Sequence, residues 1–289
     1  MKISLVLATL GRDCEVLDFM KSLLFQTYKN FELIVIDQNR DGKLDAILES
    51  YRTLMDIKHI KVDFTGNARA RDYGIGLAQG RIVAFPDDDC AYDKDVLEKV
   101  VAEFKRREDL AILVAGSYDF SATRFSIGVN SHKAGYFNRF RMMGVEFTQF
   151  FDLQRVDRRQ FHLDHDFGIG SKYSGAEGFE LLYRLLRAGG NAFYTPEIKI
   201  FHANKDHYKL GTARMLMYST GIGAYIRKFT NQHDVFIWYY ILRKMFVAPV
   251  LKMALALVTF NPQKLAYSFY NLVGIWRGFL AYGKSEKCI

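Results

Sequence analysis

Apolar and polar positions follow one another in blocks that predict strands and helices in turn. Ile3 to Ala8 is a short apolar run, and Phe31 to Ile36 is a second run that contains a single glutamate and ends at Asp37. A third run, Arg81 to Phe85, stops at Pro86. Between the first two runs, apolar residues recur at the spacing of one helix face: Val16, Leu17, Phe19, Met20, Leu23 and Leu24. Apolar strands separated by helices predict βαβ units and a mostly parallel sheet.

A second helix and strand are predicted further along the chain. From about Glu177 the leucines keep a helical spacing, and Gly189-Gly190 closes that helix. A strand follows near Ile198 to Phe201 and ends in His202. The region from Ser117 to Gly175 is rich in aromatic residues, arginine and glycine and shows no clear period, so it predicts no definite element.

Acidic residues follow two of the predicted strands. Asp37 ends the second run, and Asp87, Asp88 and Asp89 come directly after Pro86. Ligands bind beyond the carboxyl ends of strands in sheets of this type. Three adjacent carboxylates repel one another, and Mg²⁺ or Mn²⁺ would offset that repulsion. The alternative is an N-cap for a helix starting near Asp93, although a single aspartate would satisfy a cap.

Composition indicates one large domain, or one domain with an appendage. The chain has 289 residues, of which 49% are hydrophobic, so a sizeable core can form. The cysteines Cys14, Cys90 and Cys288 show neither a disulfide framework nor a zinc spacing, which suits a reducing cytosol. The first apolar run is short for a signal peptide and leads directly into Gly11-Arg12-Asp13, which favours a buried first strand.

The positive charge is concentrated in the C-terminal part. The net charge is +8, and from Lys205 onward there are 12 lysines and arginines against three acids. A basic segment indicates nucleic acid or an anionic membrane surface as its partner. The stretch 235–260 is too apolar for a nucleic-acid face, so we expect no nucleic acid and an interfacial membrane contact. Arg243, Lys244, Pro249 and Lys252 interrupt it, which argues against a single membrane span. A buried helical pair is the alternative.

Four segments, in the same order, resemble the family-2 glycosyltransferases. They cover a first strand and loop, a helix leading into a second strand, an Ala-Arg-Asn-x-Gly segment in which Asp72 replaces the asparagine, and a strand ending in a D-x-D pattern. In this sequence they are Ser4 to Thr9 with Arg12, Ser22 to Asp37, Gly66 to Ile75, and Gly80 to Asp89. The resemblance continues to His202 but is weak from Ser117 to Arg159.

The resemblance implies an α/β GT-A fold, a Rossmann-like and mostly parallel sheet flanked by helices. The charge and apolarity of the C-terminal part add a helical, membrane-associated appendage to this expectation. It implies a glycosyltransferase domain over 1–204, with a donor half over about 1–116 and an acceptor half over about 117–204. The charge shift after His202 places the basic helical region at 205–289.

The resemblance also implies an inverting transfer from a nucleoside-diphosphate sugar with Mn²⁺ or Mg²⁺ as cofactor. Asp37 would hold the nucleobase or ribose, although Gln38 replaces the family's second aspartate. Arg71 would lie near the diphosphate. The donor-binding residues implied are Thr9, Arg12, Asp37, Arg71, Asp87 and Asp88. Asp89 would bind the metal, and His202 would lie near the metal and the diphosphate, with a purely structural histidine as the alternative.

An inverting transfer needs a base that removes the acceptor proton. Glu177 and Glu180 are the candidates, and many relatives carry an aspartate where this chain has Gly178. Glu177 precedes the helix and follows a glycine-rich loop, so it is the preferred base; Glu180 can instead form an ion pair with Arg184 at i+4. A helix-start carboxylate is the structural alternative for Glu177.

These inferences predict an enzyme at the cytoplasmic face of the cell membrane, peripherally associated with it, whose acceptor is a glycan or a lipid-linked glycan. A catalytically silent nucleotide-sugar-binding scaffold is the alternative, supported by Gln38 and Gly178. A nucleotidyltransferase would carry a glycine-rich basic loop after the first strand, and Thr9 to Asp13 lacks that character.

Overall fold

The computed structural model describes residues 1–203 and 211–283. The strands are β1 (Ile3–Thr9), β2 (Phe31–Asp37), β3 (Asp56–Lys61), β4 (Ile82–Ala84), β5 (Cys90–Tyr92), β6 (Leu110–Tyr118), β7 (Gly135–Phe137), β8 (Gln149–Asp152) and β9 (Asn191–His202). The helices are α1 (Cys14–Leu24), α2 (Asp45–Tyr51), α3 (Asn67–Ile75), α4 (Val96–Arg106), α5 (Glu177–Arg187), α6 (Thr212–Asn231), α7 (Ile237–Tyr240), α8 (Ala248–Val258) and α9 (Pro262–Ala281).

The chain forms two compact units. One comprises Met1–Asp164 and Leu181–Asn204, and the other His165–Glu180 and Lys205–Ile289, each taken over its described residues. The predicted boundary between residues 204 and 205 lies outside the described residues, as does Cys288. Residues 165–180, which the sequence assigns to the acceptor half, are grouped with the C-terminal segment.

The first unit contains a mixed sheet with strand order β3-β2-β1-β4-β8-β6-β9-β5, and β7 pairs with the same β9. The pairs β3·β2, β2·β1, β1·β4 and β6·β9 are parallel, as the βαβ pattern predicts. The strands β5, β7 and β8 pair antiparallel with their neighbours. Because β7 and β8 come from the region without a clear period, the sequence indicated only the parallel half.

Helices cover both faces of this sheet. Ile3, Leu5 and Leu7 of β1 belong to the core cluster that also holds the apolar faces of α1 and α4. Val6, between Leu5 and Leu7, points to the opposite face of the sheet, where Gly74 of α3 packs directly against it. All seven residues of β1 are buried, which confirms the prediction of a buried first strand.

Gly80, just before β4, is required by a close approach of two backbones. A Cβ added there would lie 2.6 Å from the nitrogen of Ser4 and 2.8 Å from the carbonyl oxygen of Lys2. The Gly80 N–H donates to Ser4 Oγ at 2.8 Å, and Ser4 Oγ donates to the buried Glu32 carboxylate at 2.6 Å. These contacts fix the start of the strand that leads to the three aspartates.

The long strand β9 contains an irregularity where it pairs with β6. Ala115 pairs with Thr195, but the next residue, Gly116, pairs with Lys199, so three residues of β9 bulge out of the ladder. Beyond the bulge, regular pairing resumes and carries β9 to its last residue, His202.

The second unit is built around α6 and α9, which pack through small residues. A Cβ at Gly223 or Gly278 would collide with the facing backbone of Ile275 or Thr220. Gly221 and Gly223 both lie inside α6, where they permit this close packing. Helix α7 continues through a π-helical stretch into α8. Among the described residues, no helix has both the length and the apolar character needed to cross a membrane.

Candidate functional site

The three aspartates lie between two short strands. Asp87–Asp89 connects β4 to β5, and β5 pairs with the end of β9 so that Cys90 faces His202 in the ladder. Because a strand follows at once and α4 begins only at Val96, the alternative of an N-cap for a helix starting near Asp93 is wrong. The sheet thus brings these acids next to the histidine predicted to accompany them.

Asp87 is paired with a buried arginine. Arg71 of α3 is 1% exposed; its Nη2 lies 2.6 Å from Asp87 Oδ1, and its Nη1 lies 2.7 Å from Glu146 Oε2. Two carboxylates therefore share one guanidinium, whose planar fork suits such double pairing. The sequence predicted Arg71 and Asp87 as site residues but not Glu146.

Arg12 spans the other two carboxylates. Its Nη1 lies 3.1 Å from Asp88 Oδ1 and 2.8 Å from Asp89 Oδ2. The hydroxyl of Thr9, the last residue of β1, donates to Asp88 Oδ2 at 2.8 Å. The repulsion that led us to expect a metal is thus partly offset by the protein's own cations.

Asp88 is the member of the triplet whose charge is hardest to maintain. Burial raises the pKa of Asp88 to about 6; the charges of Asp87 and Asp89 act in the same direction, while Arg12 and the Thr9 hydroxyl oppose them. The neighbouring cation and hydroxyl therefore favour the ionised form against a strong desolvation cost.

His202 is oriented by its own backbone neighbour. It is 3% exposed, its Nδ1 lies 2.7 Å from the carbonyl oxygen of Ala203, and its ring stacks on Phe147 with centroids 5.0 Å apart. Because a carbonyl only accepts, Nδ1 carries the hydrogen, and Nε2 is directed to Asp89 Oδ1 at 3.2 Å. A second partner of this kind is typical of metal-binding histidines.

Asp87, Asp89 and His202 together form a group with metal-ligand geometry. Their ligand atoms, two carboxylate oxygens and one imidazole nitrogen, all lie within 4.8 Å of one another. Asp89 and His202 were the predicted metal ligands. Asp87, which we expected to face the donor, joins them in this group.

Asp37 occupies the carboxyl end of β2, beside Thr9 in the register. It is completely buried; its Oδ1 accepts from the backbone and side-chain nitrogens of Asn39 at 2.9 and 2.8 Å, and its Oδ2 lies 2.9 Å from His59 Nε2. Gln38, where the family has aspartate, accepts from the Gly66 N–H at 2.8 Å and so fixes the loop before α3.

A second group of possible metal ligands surrounds Asp37. It consists of Asp37, Asp45 and His59, but Lys61 already forms an ion pair with the half-exposed Asp45. His59 and Lys61 partner the two acids of this group, as the arginines partner Asp87 and Asp89, and the two groups differ in that Asp45 is half-exposed.

Glu177 lies in the second unit, at the first position of α5. Its residue is 8% exposed, and the loop before it turns through Gly175 and Ala176, both with positive φ. Gly168 packs against its carboxylate, where an added Cβ would lie 3.1 Å from Oε1. Glu177, the predicted base, thus lies at the start of a helix, next to a loop that contains glycines.

Glu180 is fully buried and pairs with Lys228 of α6 at 2.8 Å. The guanidinium of Arg184, its expected partner, donates to the carbonyl oxygens of Gln160 and His162 in the first unit. A structural ion pair, the role the sequence favoured for Glu180, is therefore supported through a cation distant in sequence.

Three partners of the site were missed by the sequence reasoning. Glu146 lies in the region without a period, His59 lies on the polar strand β3, and Asn39 lies in a loop. A buried arginine such as Arg71 needs carboxylate partners, which is the only general signal that could have prompted a search for Glu146.

Known proteins resemble part of this chain. The model of the family described as Glycosyl transferase family 2 matches residues 4–167. An uncharacterized glycosyltransferase of Haemophilus influenzae is 31% identical over 156 residues, which cover 50% of this chain and 60% of that protein. The glucosyl-dolichyl phosphate glucuronosyltransferase of Haloferax volcanii is 28% identical over 120 residues, 40% of this chain and 38% of that protein. The matches thus span less than two thirds of these relatives.

Solved structures resemble it over nearly its full length. S. aureus TarS 1-349 in complex with UDP has a TM-score of 0.60 and 14% identity, covering 96% of this chain and 91% of that one. The mannosyltransferase PcManGT from Pyrobaculum calidifontis, in complex with GDP-Man and Mn²⁺, has a TM-score of 0.71 and 14% identity, covering 96% and 86%. These likenesses confirm the predicted α/β GT-A fold. Since the family match also takes in more than half of the chain, the protein belongs to glycosyl transferase family 2.

Proposed function

We propose that this protein transfers a sugar from a nucleoside-diphosphate sugar to a hydroxyl of a glycan or lipid-linked acceptor, with inversion and with help from a divalent metal. The observation that carries the proposal is the convergence of Asp87, Asp89 and His202 beside two arginines at the carboxyl edge of the sheet. Acids that can hold a cation, next to cations that can hold phosphate oxygens, suit a metal-diphosphate.

The chemistry of the three ligands fits Mn²⁺ or Mg²⁺. Carboxylates suit both ions, and the imidazole of His202 is a better ligand for Mn²⁺. His202 already donates its Nδ1 hydrogen to Ala203, so its other nitrogen can serve as a ligand without turning the ring. When bound, such a cation stabilises the negative charge that gathers on the leaving diphosphate.

The protein's own residues then bind and orient the donor. In this proposal Arg12 and Arg71 contribute positive charge towards the diphosphate, while Thr9 and Asp88 border the ribose and the sugar. Asp37 serves the nucleoside, with His59 holding its carboxylate in place. The structural neighbours in complex with UDP and with GDP-Man support a nucleotide-sugar donor.

Glu177 is the proposed base that removes the acceptor proton. It is a carboxylate at the start of a helix, preceded by a loop with positive φ at Gly175 and Ala176, and Gly168 packs against it. Glu180 is the weaker candidate because its carboxylate is buried against Lys228. A base must reach the acceptor hydroxyl, and a carboxylate already engaged in a buried ion pair is poorly placed for that.

The C-terminal helices are proposed to bind the surface of the membrane on its cytoplasmic side. Residues 235–283 contain five lysines and arginines and no acid. Large apolar side chains are exposed all along α8 and its end, including Leu251 at 64%, Val258 at 76% and Phe260 at 92%. Exposed apolar side chains flanked by cations are the composition of an interfacial anchor. Sedimentation with anionic and neutral vesicles measures this association.

The donor and metal proposal is tested by thermal unfolding with UDP-GlcNAc or GDP-Man, with and without Mn²⁺. A ligand that binds the native state raises its melting temperature. We expect a metal-dependent rise in the wild type and in the matched control Asp63→Asn, an exposed aspartate. We expect Asp89→Asn and His202→Gln to lose it. An unchanged metal-dependent rise in Asp89→Asn would overturn the metal assignment.

The base is tested by comparing Glu177→Gln with the wild type in donor binding and in transfer. We expect the Gln variant to keep the donor-induced rise in melting temperature and to lose transfer. If transfer survives, another group is the base. Donor binding without transfer to any acceptor in the wild type would instead identify a nucleotide-sugar-binding scaffold.

A further inference from the structure

A hydrogen-bonded connection links Asp37 to the loop that carries Arg12. The Asn39 side chain lies between them: its Nδ2 donates to Asp37 Oδ1 at 2.8 Å, and its Oδ1 accepts from the Gly11 N–H at 2.6 Å. Asn39 is 7% exposed, and its backbone N–H also donates to Asp37 Oδ1, at 2.9 Å. A side-chain amide carries a donor and an acceptor on one fork, and both are used at this position.

The loop between β1 and α1 gains little from packing. Leu10 is 52% exposed, and a Cβ added at Gly11 would meet nothing within 4 Å. Gly11 has a φ of 79°, a backbone conformation that residues other than glycine rarely adopt. Because packing does not hold Gly11, its hydrogen bond to Asn39 sets the direction in which the chain enters Arg12.

Arg12 has donors left for a ligand. Its ion pairs with Asp88 and Asp89 are both made by Nη1, and its side chain is 32% exposed. The guanidinium is a planar fork of five N–H donors that matches the oxygens of a phosphate. An arginine that contacts the three aspartates through one nitrogen can therefore present its other donors to a diphosphate held at the same acids.

The second arginine of the site is held in a different way. Arg71 is 1% exposed within α3, where two carboxylates pair with its guanidinium. The loop before α3 is fixed at Gly66 by the side chain of Gln38. The position of Arg71 thus does not depend on Asn39, so an effect of Asn39 on Arg12 can be measured separately.

We infer that Asn39 is a positioning residue that directs Arg12 towards the diphosphate of the donor, with the Asp37 carboxylate as its fixed support. The inference rests on the proposed function, since that function supplies the diphosphate. Asn39 acts through Gly11 and Arg12 and does not itself take part in the reaction. Asp37 thereby gains a second task, because the carboxylate proposed to serve the nucleoside also holds the loop that serves the phosphates.

The first test measures binding of pyrophosphate with Mn²⁺, a probe without a nucleoside, by isothermal titration calorimetry on the full chain. Arg12→Gln should weaken binding about tenfold, the effect of one lost charge-assisted hydrogen bond. Asn39→Leu, which removes the amide and nearly keeps the size, should weaken it about three- to tenfold. The matched control Asn30→Leu changes an exposed asparagine whose side chain forms no hydrogen bond with any described residue, and it should bind like the wild type.

The double variant decides whether Asn39 acts through Arg12. If it does, adding Asn39→Leu to Arg12→Gln should weaken binding by less than about twofold more, because the side chain that Asn39 positions is already gone. If the two single effects multiply in the double variant, the two residues contribute independently and the inference is overturned.

Asn39→Asp tests the support from Asp37 and keeps the inference testable if Asn39→Leu does not fold. The new carboxylate has the same shape and still accepts from the Gly11 N–H, but it cannot donate to Asp37 and repels it. We expect the loss of binding to be at least as large as in Asn39→Leu. Wild-type affinity in Asn39→Asp would overturn the inference.

Hydrogen exchange at the Gly11 amide gives a measurement without any ligand. Exchange should be faster in Asn39→Leu than in the wild type or in Asn30→Leu, because the Gly11 N–H loses its acceptor. An unchanged rate would show that Asn39 does not hold the loop and would overturn the inference.

The wild type separates this inference from the proposed function. Failure to bind any nucleotide sugar with Mn²⁺ would refute the proposed function. A wild type that binds a nucleotide sugar but not pyrophosphate with Mn²⁺ would leave the proposed function standing and overturn the role of Asn39.

Discussion

Replacing Gly80 by alanine tests whether the contact between the start of β4 and the backbone of β1 sets the stability of the first unit. The added Cβ would lie 2.6 Å from Ser4 N and 2.8 Å from both Ile3 C and Lys2 O. Ordinary contacts between such atoms lie at about 3.5 Å or more, so the two backbones must separate by roughly 1 Å. All three atoms belong to backbone, so no side chain can turn aside.

The expected magnitude follows from two opposing effects. Alanine reduces the freedom of the unfolded chain and by itself stabilises by about 0.4–1 kcal/mol. Overpacking of a buried contact costs about 1–3 kcal/mol. Gly80 does not have a positive φ, so no backbone strain is added. We expect the free energy of unfolding to fall by about 1–2 kcal/mol. For a protein of this size class, each kcal/mol lowers the melting temperature by about 2–4 °C.

The assay is urea unfolding of purified Gly80→Ala beside Gly135→Ala. At Gly135, on β7, an added Cβ meets nothing within 4 Å, so the same chemical change should be neutral or slightly stabilising. Because β4 leads to Asp87, Gly80→Ala should also reduce the donor-induced rise in melting temperature. If Gly80→Ala is as stable as Gly135→Ala, the reasoning from backbone proximity is refuted.

Three further predictions concern buried charges and helix packing. Burial alone would raise the pKa of Glu32, but hydrogen bonds chiefly from Lys58, Ser4 and the Gln79 N–H outweigh it and hold that pKa below its ordinary 4.5. A lowered pKa stabilises the folded state at pH values above 4.5, so Glu32→Gln should lower the free energy of unfolding by about 1–3 kcal/mol at neutral pH. The difference from the wild type should become smaller as acid protonates the glutamate. A difference that does not change with pH in urea titrations contradicts this. Glu180→Gln should lower stability by about 3 kcal/mol in thermal unfolding, because the ion pair with Lys228 is lost. A defect in sugar transfer at unchanged stability would instead favour a catalytic role for Glu180. Gly274→Ala should destabilise the α6–α9 pair by about 1–3 kcal/mol because its Cβ would lie 2.6 Å from Leu216 O, and protection of α6 amides from hydrogen exchange should fall accordingly.

The regular half of the fold could be predicted from the sequence. In β1, α1 and β2, the apolar period is strong and the residues that carry it are buried, as in Val16, Phe19 and Met20. These elements are specified by their own pattern of apolar residues and by parallel pairing between strands that are close in sequence. Their boundaries were therefore within a residue or two of the observed ones.

The middle of the chain could not be predicted for a physical reason. Its strands β7 and β8 have three and four residues, too few for a period to emerge, and they pair with β9 and with β4 and β6 rather than with sequence neighbours. The site shows the same limit. Asp87 and Arg71 were in recognisable segments, whereas Glu146 acquires its role only through a contact across 75 positions of chain.

The bulge in β9 has a consequence for length variation in related chains. In a strand without slack, inserting or deleting one residue turns every later side chain to the opposite face, and His202 would leave Asp89. Three residues of β9 already stand outside the ladder between Thr195 and Lys199, so a change of length there can be absorbed before pairing resumes. The segment around Pro196 is therefore where homologous sequences can gain or lose a residue while the histidine keeps its place.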